Sequence, residues 1–197
     1  MFTGIIETLG TVVSIEKIQT NLRLGISSDI TTELKIDQSV AHNGVCLTVV
    51  AIEGDIYYLD AIQETLDKTN LSTLQVGSTV NLERCMTANG RFDGHVVQGH
   101  VDQTGTCTKI ETLDGSWKYH IAYDPSKGNV TVDKGSICLN GISLTVVDSS
   151  LGAFSVAIIP YTYENTSLHT TKVGDSMNLE FDVIGKYVKR MLKGYEQ

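Results

Sequence analysis

The feature that most constrains this chain is that it repeats itself. Residues 39–50, SVAHNGVCLTVV, match residues 136–147, SICLNGISLTVV, at an offset of 97, with seven of the twelve positions identical. The same offset aligns ETLDKTNLSTLQVGSTVNLE (64–83) with YTYENTSLHTTKVGDSMNLE (161–180), nine positions in twenty being identical, among them Thr65/Thr162, Thr69/Thr166, Gly77/Gly174 and Glu83/Glu180. A weaker block pairs FTGIIETLGTVVSI (2–15) with VQGHVDQTGTCTKI (97–110) at an offset of 95. A period of nearly half the 197 residues means a tandem domain rather than a solenoid. The expected division is 1–88, 89–183 and a tail 184–197, with the Gly/Asn/Asp-containing stretch TANGRFDG (87–94) as junction.

Within each half, alternating segments such as TVVSIEKI, NLRLGIS, VCLTVVAI and IYYLDAI read as strands, broken by turns at Asn43-Gly44 and Glu53-Gly54-Asp55. TLDKTNL reads as one short helix per half, with Thr65 as its cap. About six short antiparallel strands per half point to a small closed barrel, because closure removes unpaired edges. The fold class is therefore all-β, two tandem barrels, with one strong helical signal outside the repeat. There Ile184, Tyr187, Val188, Met191, Leu192 and Tyr195 recur at helical spacing, with Lys186, Lys189, Arg190 and Lys193 on the other face. That stripe needs a surface to cover, either a barrel of its own chain or another subunit.

Charge and motifs exclude much. Fifteen Lys and Arg against 23 Asp and Glu give a net charge of −8, the wrong sign for displacing counterions from phosphates, so no nucleic-acid partner is expected. The start, Met1-Phe2-Thr3-Gly4, has no signal-peptide pattern and no apolar run is long enough for a membrane span, so a soluble, cytoplasmic protein is expected. Four scattered cysteines, without a C-x-x-C pair, read as reduced thiols. No G-x-S-x-G, G-x-G-x-x-G or P-loop motif is present. His95 and His100 stand five apart with no carboxylate at metal-ligand spacing, so no metal is expected; His95 also reads as a satisfied junction residue.

The aligned positions that differ carry the functional signal. Phe2/Val97, Ile5/His100, His42/Leu139 and Cys46/Ser143 diverge, whereas Asn43/Asn140, Gly44/Gly141, Leu47/Leu144 and Thr48/Thr145 persist. The turn explains Asn-Gly and the barrel strand explains Leu and Val. Neither explains Cys46 with Thr48, or Ser143 with Thr145, a polar row on a strand face that would otherwise be core. Two such rows fit two copies of one flat polar heterocycle with a hydroxylated tail, and place any chemistry near His100 and Ser143.

MFTGIIE, SVAHNGVCLTVV, ETLDKTNL with VNLER, GHVVQGHVD, KGSICLNGISLTVV, IPYT and MNLEFDVIGKYVKRML together resemble the riboflavin synthase family of alpha-chain type, over essentially the whole chain. The resemblance implies two six-stranded Greek-key barrels, a C-terminal helix that assembles a homotrimer, and a transferase that dismutates two molecules of 6,7-dimethyl-8-ribityllumazine. It implies no cofactor and no metal, and an active site between the N-terminal barrel of one subunit and the C-terminal barrel of its neighbour. It raises association with a lumazine synthase. By motif, the first barrel would contribute Ser39, Cys46, Thr48 and Thr65, with Phe2 and Gly4 from the starting motif. The second would contribute His100, Lys134, Ser143, Thr145, Thr162 and Asp182, with His95 nearby. Catalysis would fall to His100 in proton transfer or nucleophile activation, to Ser143 in steadying charge, and to Cys46 and Asp182; the others would bind substrate. Asp182 also reads as a cap for the final helix, and Asn140 stands where the family often has Asp.

Lumazine proteins, which only bind a fluorescent ligand as an optical antenna, share this architecture but erode one barrel's motifs. Here GISLTVV, IPYT, NLEFD and His100 are intact, which favours the enzyme. A purely structural tandem barrel is the third reading, disfavoured by the polar rows.

Overall fold

A computed structural model describes residues 1–194. The first half holds β1 (Thr8–Ile18), β2 (Asn21–Ser27), β3 (Ser39–His42), β4 (Val45–Glu53), β5 (Ile56–Ala61), α1 (Gln63–Lys68) and β6 (Thr79–Arg84). The second holds β7 (Gln103–Leu113), β8 (Ser116–Tyr123), β9 (Ser136–Leu139), β10 (Ile142–Ser150), β11 (Ala153–Ile158), α2 (Pro160–Glu164) and β12 (Ser176–Phe181), and α3 (Val183–Gly194) follows. Each set closes into an antiparallel barrel, in the order β1-β2-β5-β4-β3-β6 and the equivalent β7-β8-β11-β10-β9-β12. β2 pairs with β5 across the β3–β4 hairpin, the Greek-key crossing. Register shifts fall at matching places, Val12/Ser14 with Cys107/Lys109 and Val49/Ala51 with Val146/Ser149, where an extra residue bends a long strand around the barrel.

Alternation fills each barrel with the expected aliphatics: Val12, Leu24, Val40, Val49, Leu59 and Leu82 in the first, Ile121, Ile137, Val146, Val156 and Leu179 in the second. Burying a side chain of this size contributes about 1.5–3 kcal/mol. The Asn-Gly turns form as their residues require: Asn43 (φ 46°) and Gly44 (φ 78°), and Asn140 (φ 46°) and Gly141 (φ 82°), occupy the left-handed region that a two-residue hairpin turn needs.

These two turns meet back to back between the barrels. A Cβ on Gly44 would lie 2.7 Å from the Gly141 nitrogen, and the reverse distance is the same. Around them the amides cross over: Asn81 Nδ2 donates to the Asn140 carbonyl at 2.8 Å and Asn178 Nδ2 to the Asn43 carbonyl at 2.9 Å. Asn140 Oδ1 accepts the Asn178 amide at 2.7 Å, so its carboxamide serves this seam, as Asn43 does towards Asn81.

Two expectations change, and one left open is narrowed. Thr65 lies inside α1 rather than capping it; Thr69 caps the following 3-10 turn, Asn70–Thr73, by accepting the Leu71 amide at 3.3 Å. The polar rows are not on a core face, because Val45, Leu47 and Val49 point inwards and Cys46 and Thr48 point out of the barrel, as Ser143 and Thr145 do on β10. Finally, α3 turns its basic face to its own barrel. Lys186 pairs with Asp102 at 2.7 Å and Lys189 donates to the Gly128 carbonyl, while Ile184, Tyr187, Val188, Met191 and Leu192 are 45–67% exposed. Among the described residues this stripe is left largely exposed; Tyr195 lies outside them. No described helix is long and apolar enough to cross a membrane.

Candidate functional site

The outward rows become grooves because two segments outside the barrels are laid across them. Residues before β1 and before β7 run as straps, and they meet through the antiparallel pair Phe2/Val97, with Phe2 N donating to Val97 O at 2.7 Å. Beyond that crossing each strap docks on the other repeat's barrel. The Gly99 carbonyl accepts the Cys46 amide at 2.9 Å, and the Gly4 carbonyl accepts the Ser143 amide at 2.7 Å. Such contact demands glycine: at Gly99 (φ 80°) a Cβ would stand 2.6 Å from Cys46 Cβ.

The result is two equivalent grooves. One, of about 210 Å³, is lined by Val45, Cys46, Thr65 and Thr69 of the first barrel and by Gly99, His100 and Val101 of the second repeat's strap. The other, of about 140 Å³, is lined by Ile142, Ser143, Thr162 and Thr166 and by Gly4, Ile5 and Ile6. His100 therefore belongs to the groove of the first barrel, not the second. The exchange of straps moved it there, and no repeat alignment displays that exchange. A larger concavity, about 450 Å³, lies on the seam among Asn43, Asn70, Asn140, Ser167 and neighbouring threonines. It holds neither of the divergent pairs Cys46/Ser143 and Ile5/His100, so the paired grooves are the stronger candidates.

The two grooves differ chemically. In the second, His95 Nδ1 lies 2.7 Å from Ser143 Oγ. Burial lowers the His95 pKa, and the nearby Asp182 charge opposes that shift. Asp182 also caps α3, accepting the Ile184 amide at 2.9 Å. Ser143 and His95 thus form a hydroxyl–imidazole pair able to move a proton, with the Asp182 charge near enough to favour the imidazolium. Ser143's partner in this structure is His95, whereas His100 faces Cys46 across the first groove. Burial pushes the Cys46 thiol pKa up, so it stays protonated at neutral pH, with the neighbouring Ser39 hydroxyl opposing the shift.

Thr48 and Thr145 are exposed on the outer strand faces, one alternation beyond Cys46 and Ser143. Phe2 is fully buried in the seam with Ala41, Val97 and Cys138 and lines neither groove. Lys134 is exposed in the turn before β9, with φ 64° and its amide on the Val146 carbonyl; it too lines neither groove. Sequence reasoning missed the strap residues Ile6 and Val101 and the buried Glu83 and Glu180. Burial raises both carboxyl pKa values against the backbone N–H donors around them. Their retention in both repeats, on the outward alternation of a strand, was the available signal. All four cysteines are free, and no cluster of three His, Cys, Asp or Glu side chains occurs among the described residues.

Comparison with known proteins agrees with this duplicated architecture. The lumazine binding domain family matches twice, over residues 3–85 and 98–182. The riboflavin synthase of Actinobacillus pleuropneumoniae is 42% identical over 193 residues, covering 98% of this chain and 90% of its own. The chain belongs to the riboflavin synthase family. Among solved structures, LumP in complex with riboflavin superposes with a TM-score of 0.85 at 27% identity, covering 92% of this chain and 99% of its own. LumP with 6,7-dimethyl-8-(1'-D-ribityl)lumazine gives 0.82 at 26% identity over the same shares.

Proposed function

We propose that the protein converts two molecules of 6,7-dimethyl-8-ribityllumazine into riboflavin and 5-amino-6-(ribitylamino)uracil by moving a four-carbon unit from one to the other. The observation that carries this is the pair of matched grooves whose distinctive groups differ: His100 with Cys46 in one, Ser143 with His95 in the other. A disproportionation needs two copies of one substrate held in two roles. Similar walls bind the same molecule and unlike groups separate donor from acceptor.

The atoms of two lumazines equal those of the two products, so the reaction consumes no oxidant, reductant or water. The 7-methyl group of the lumazine is acidic because its carbanion delocalises into the ring, so holding two rings together and moving protons modestly is sufficient. In the second groove Ser143 would bind the charged ring through its hydroxyl, with His95 accepting or returning that proton and Asp182 favouring the imidazolium. In the first, His100 would serve proton transfer beside the neutral Cys46 thiol. Thr48, Thr65, Thr145 and Thr162, with Ser39, Gly4 and the strap backbones, would bind the heterocycle and its ribityl tail.

The complete site would form between the first groove of one subunit and the second of its neighbour, in a homotrimer built on the apolar face of α3. That face, largely exposed among the described residues, supports this reading. The protein would work in the cytoplasm without a cofactor or metal, and association with a lumazine synthase belongs to the same proposal. Incubating the purified protein with the ribityllumazine alone, with a chelator present, is the test. One riboflavin per two lumazines is expected; tight binding without product would overturn the proposal in favour of an antenna protein.

A further inference from the structure

Glu83 and Glu180 are the matched acidic residues of β6 and β12, and they are 5% and 3% exposed. Neither forms an ion pair with Lys or Arg among the described residues, although the Lys186 charge is felt at Glu180. A buried carboxylate without a counter-cation is costly unless its lone pairs are filled by donors. Here the donors all come from the straps. Glu180 Oε1 accepts the Gln98 amide at 2.7 Å, and its Oε2 accepts those of Gly99 at 2.9 Å and His100 at 2.8 Å. Glu83 Oε1 accepts the Thr3 amide at 2.6 Å and the Thr3 hydroxyl at 2.8 Å, and its Oε2 accepts the Gly4 amide at 2.9 Å.

The consequence lies in where each strap goes next. The strap gripped by Glu180, in the second barrel, passes its Gly99 carbonyl to Cys46 and supplies His100 to the groove of the first barrel. The strap gripped by Glu83, in the first barrel, passes its Gly4 carbonyl to Ser143 and supplies Ile5 and Ile6 to the groove of the second. We infer that Glu83 and Glu180 are positioning residues that act crosswise, each fixing from one barrel the wall of the ligand groove on the other.

The inference deepens the proposed synthase reading and assigns each carboxylate a partner it does not touch through its own barrel. Glu180 sets His100 against Cys46. Glu83 sets the Gly4 strap against Ser143. Replacing either by Gln keeps the shape but turns one acceptor oxygen into a donor that opposes strap N–H groups, so only one strap should loosen.

The experiment uses the full chain and two readouts. In turnover of the ribityllumazine, E180Q should lower kcat about tenfold in the wild-type background, less than about twofold on H100A, and by the full factor on S143A. E83Q should show the reverse pattern, its effect shrinking on S143A and persisting on H100A. Multiplicative effects in every background, or equal coupling of both carboxylates to both residues, would overturn the inference. In amide hydrogen exchange without ligand, E180Q should speed exchange at Gln98, Gly99, His100 and Cys46 and leave Thr3, Gly4 and Ser143 unchanged, with E83Q opposite. Loosening of both straps, or of neither, would also overturn it. A wild-type chain that made no riboflavin would defeat the synthase reading alone, and the exchange pattern would then decide the crosswise positioning. Should either Gln variant fail to fold, E180D and E83D, which keep the acceptors on a shorter arm, are to give the same pattern in weaker form.

Discussion

His95 Nδ1 lies 2.7 Å from Ser143 Oγ, which ties the segment joining the two barrels to the wall of the second groove. With the imidazole neutral and its proton on Nε2, Ser143 donates to Nδ1, and only in that state does His95 take a proton from it.

Turnover should therefore fall as pH drops through the folded pKa of His95, which burial holds below the ordinary value of about 6.5. The Asp182 charge opposes that lowering, so D182N should lower the pKa further and move the acid limb of kcat to lower pH. H95Q should remove that limb and cost at least about tenfold in kcat. A pH–rate profile unchanged in D182N would count against the assignment.

The docking of Gly99 on Cys46 makes a second prediction. G99A meets both a strained φ of 80° and a Cβ 2.6 Å from Cys46 Cβ, whereas Gly54, at φ 64°, has nothing within 4 Å of a new Cβ. G54A should cost about 1 kcal/mol from backbone strain alone, G99A about 2–3 kcal/mol. Only G99A should weaken lumazine binding, as read by fluorescence titration.

His42 supplies a third. It is 1% exposed, its Nε2 is 2.7 Å from Tyr57 Oη, and burial drives its pKa down to about 3. Above the unfolded value of about 6.5 both states are neutral and stability is complete; as pH falls from there towards about 3 only the unfolded chain takes the proton, and stability declines by up to about 1.4 kcal/mol per unit. The matching positions in the second barrel are Leu139 and Phe154. H42L with Y57F should keep the fold and flatten this acid slope in urea melts at pH 7 and pH 5. Parallel losses in both proteins would contradict it.

The orientation of α3 gives a fourth. Deleting 184–197 should leave both barrels folded, because among the described residues α3 holds to them through Lys186 and Lys189, while reducing oligomer size and activity together. Replacing Val188 and Met191 by Glu should do the same without removing the helix. Sedimentation showing an unchanged, active oligomer would refute both.

The duplication, the strand segments, the Asn-Gly turns, the final helix and the polar pairs on β4 and β10 were all legible in the chain, because each is a local pattern. A two-residue turn must find residues that tolerate positive φ, and an alternating strand displays its faces directly. The cap of α1 was misread because the helix starts two residues before Thr65, at Gln63 behind an Ile62 that offers no capping side chain, so the local capping signal was absent where the helix begins.

The sequence by itself determined two barrels of one kind, the positions where they differ, and an apolar stripe appended to them. Tertiary structure alone decided that His100 serves the first barrel, that His95 rather than His100 meets Ser143, and that the polar rows face outwards. Periodicity assigns a residue to a face of its own strand, but a strap without regular structure carries no period. Its destination is set by where buried acceptors, Glu83 and Glu180, and free edge donors, the amides of Cys46 and Ser143, stand once both barrels have closed.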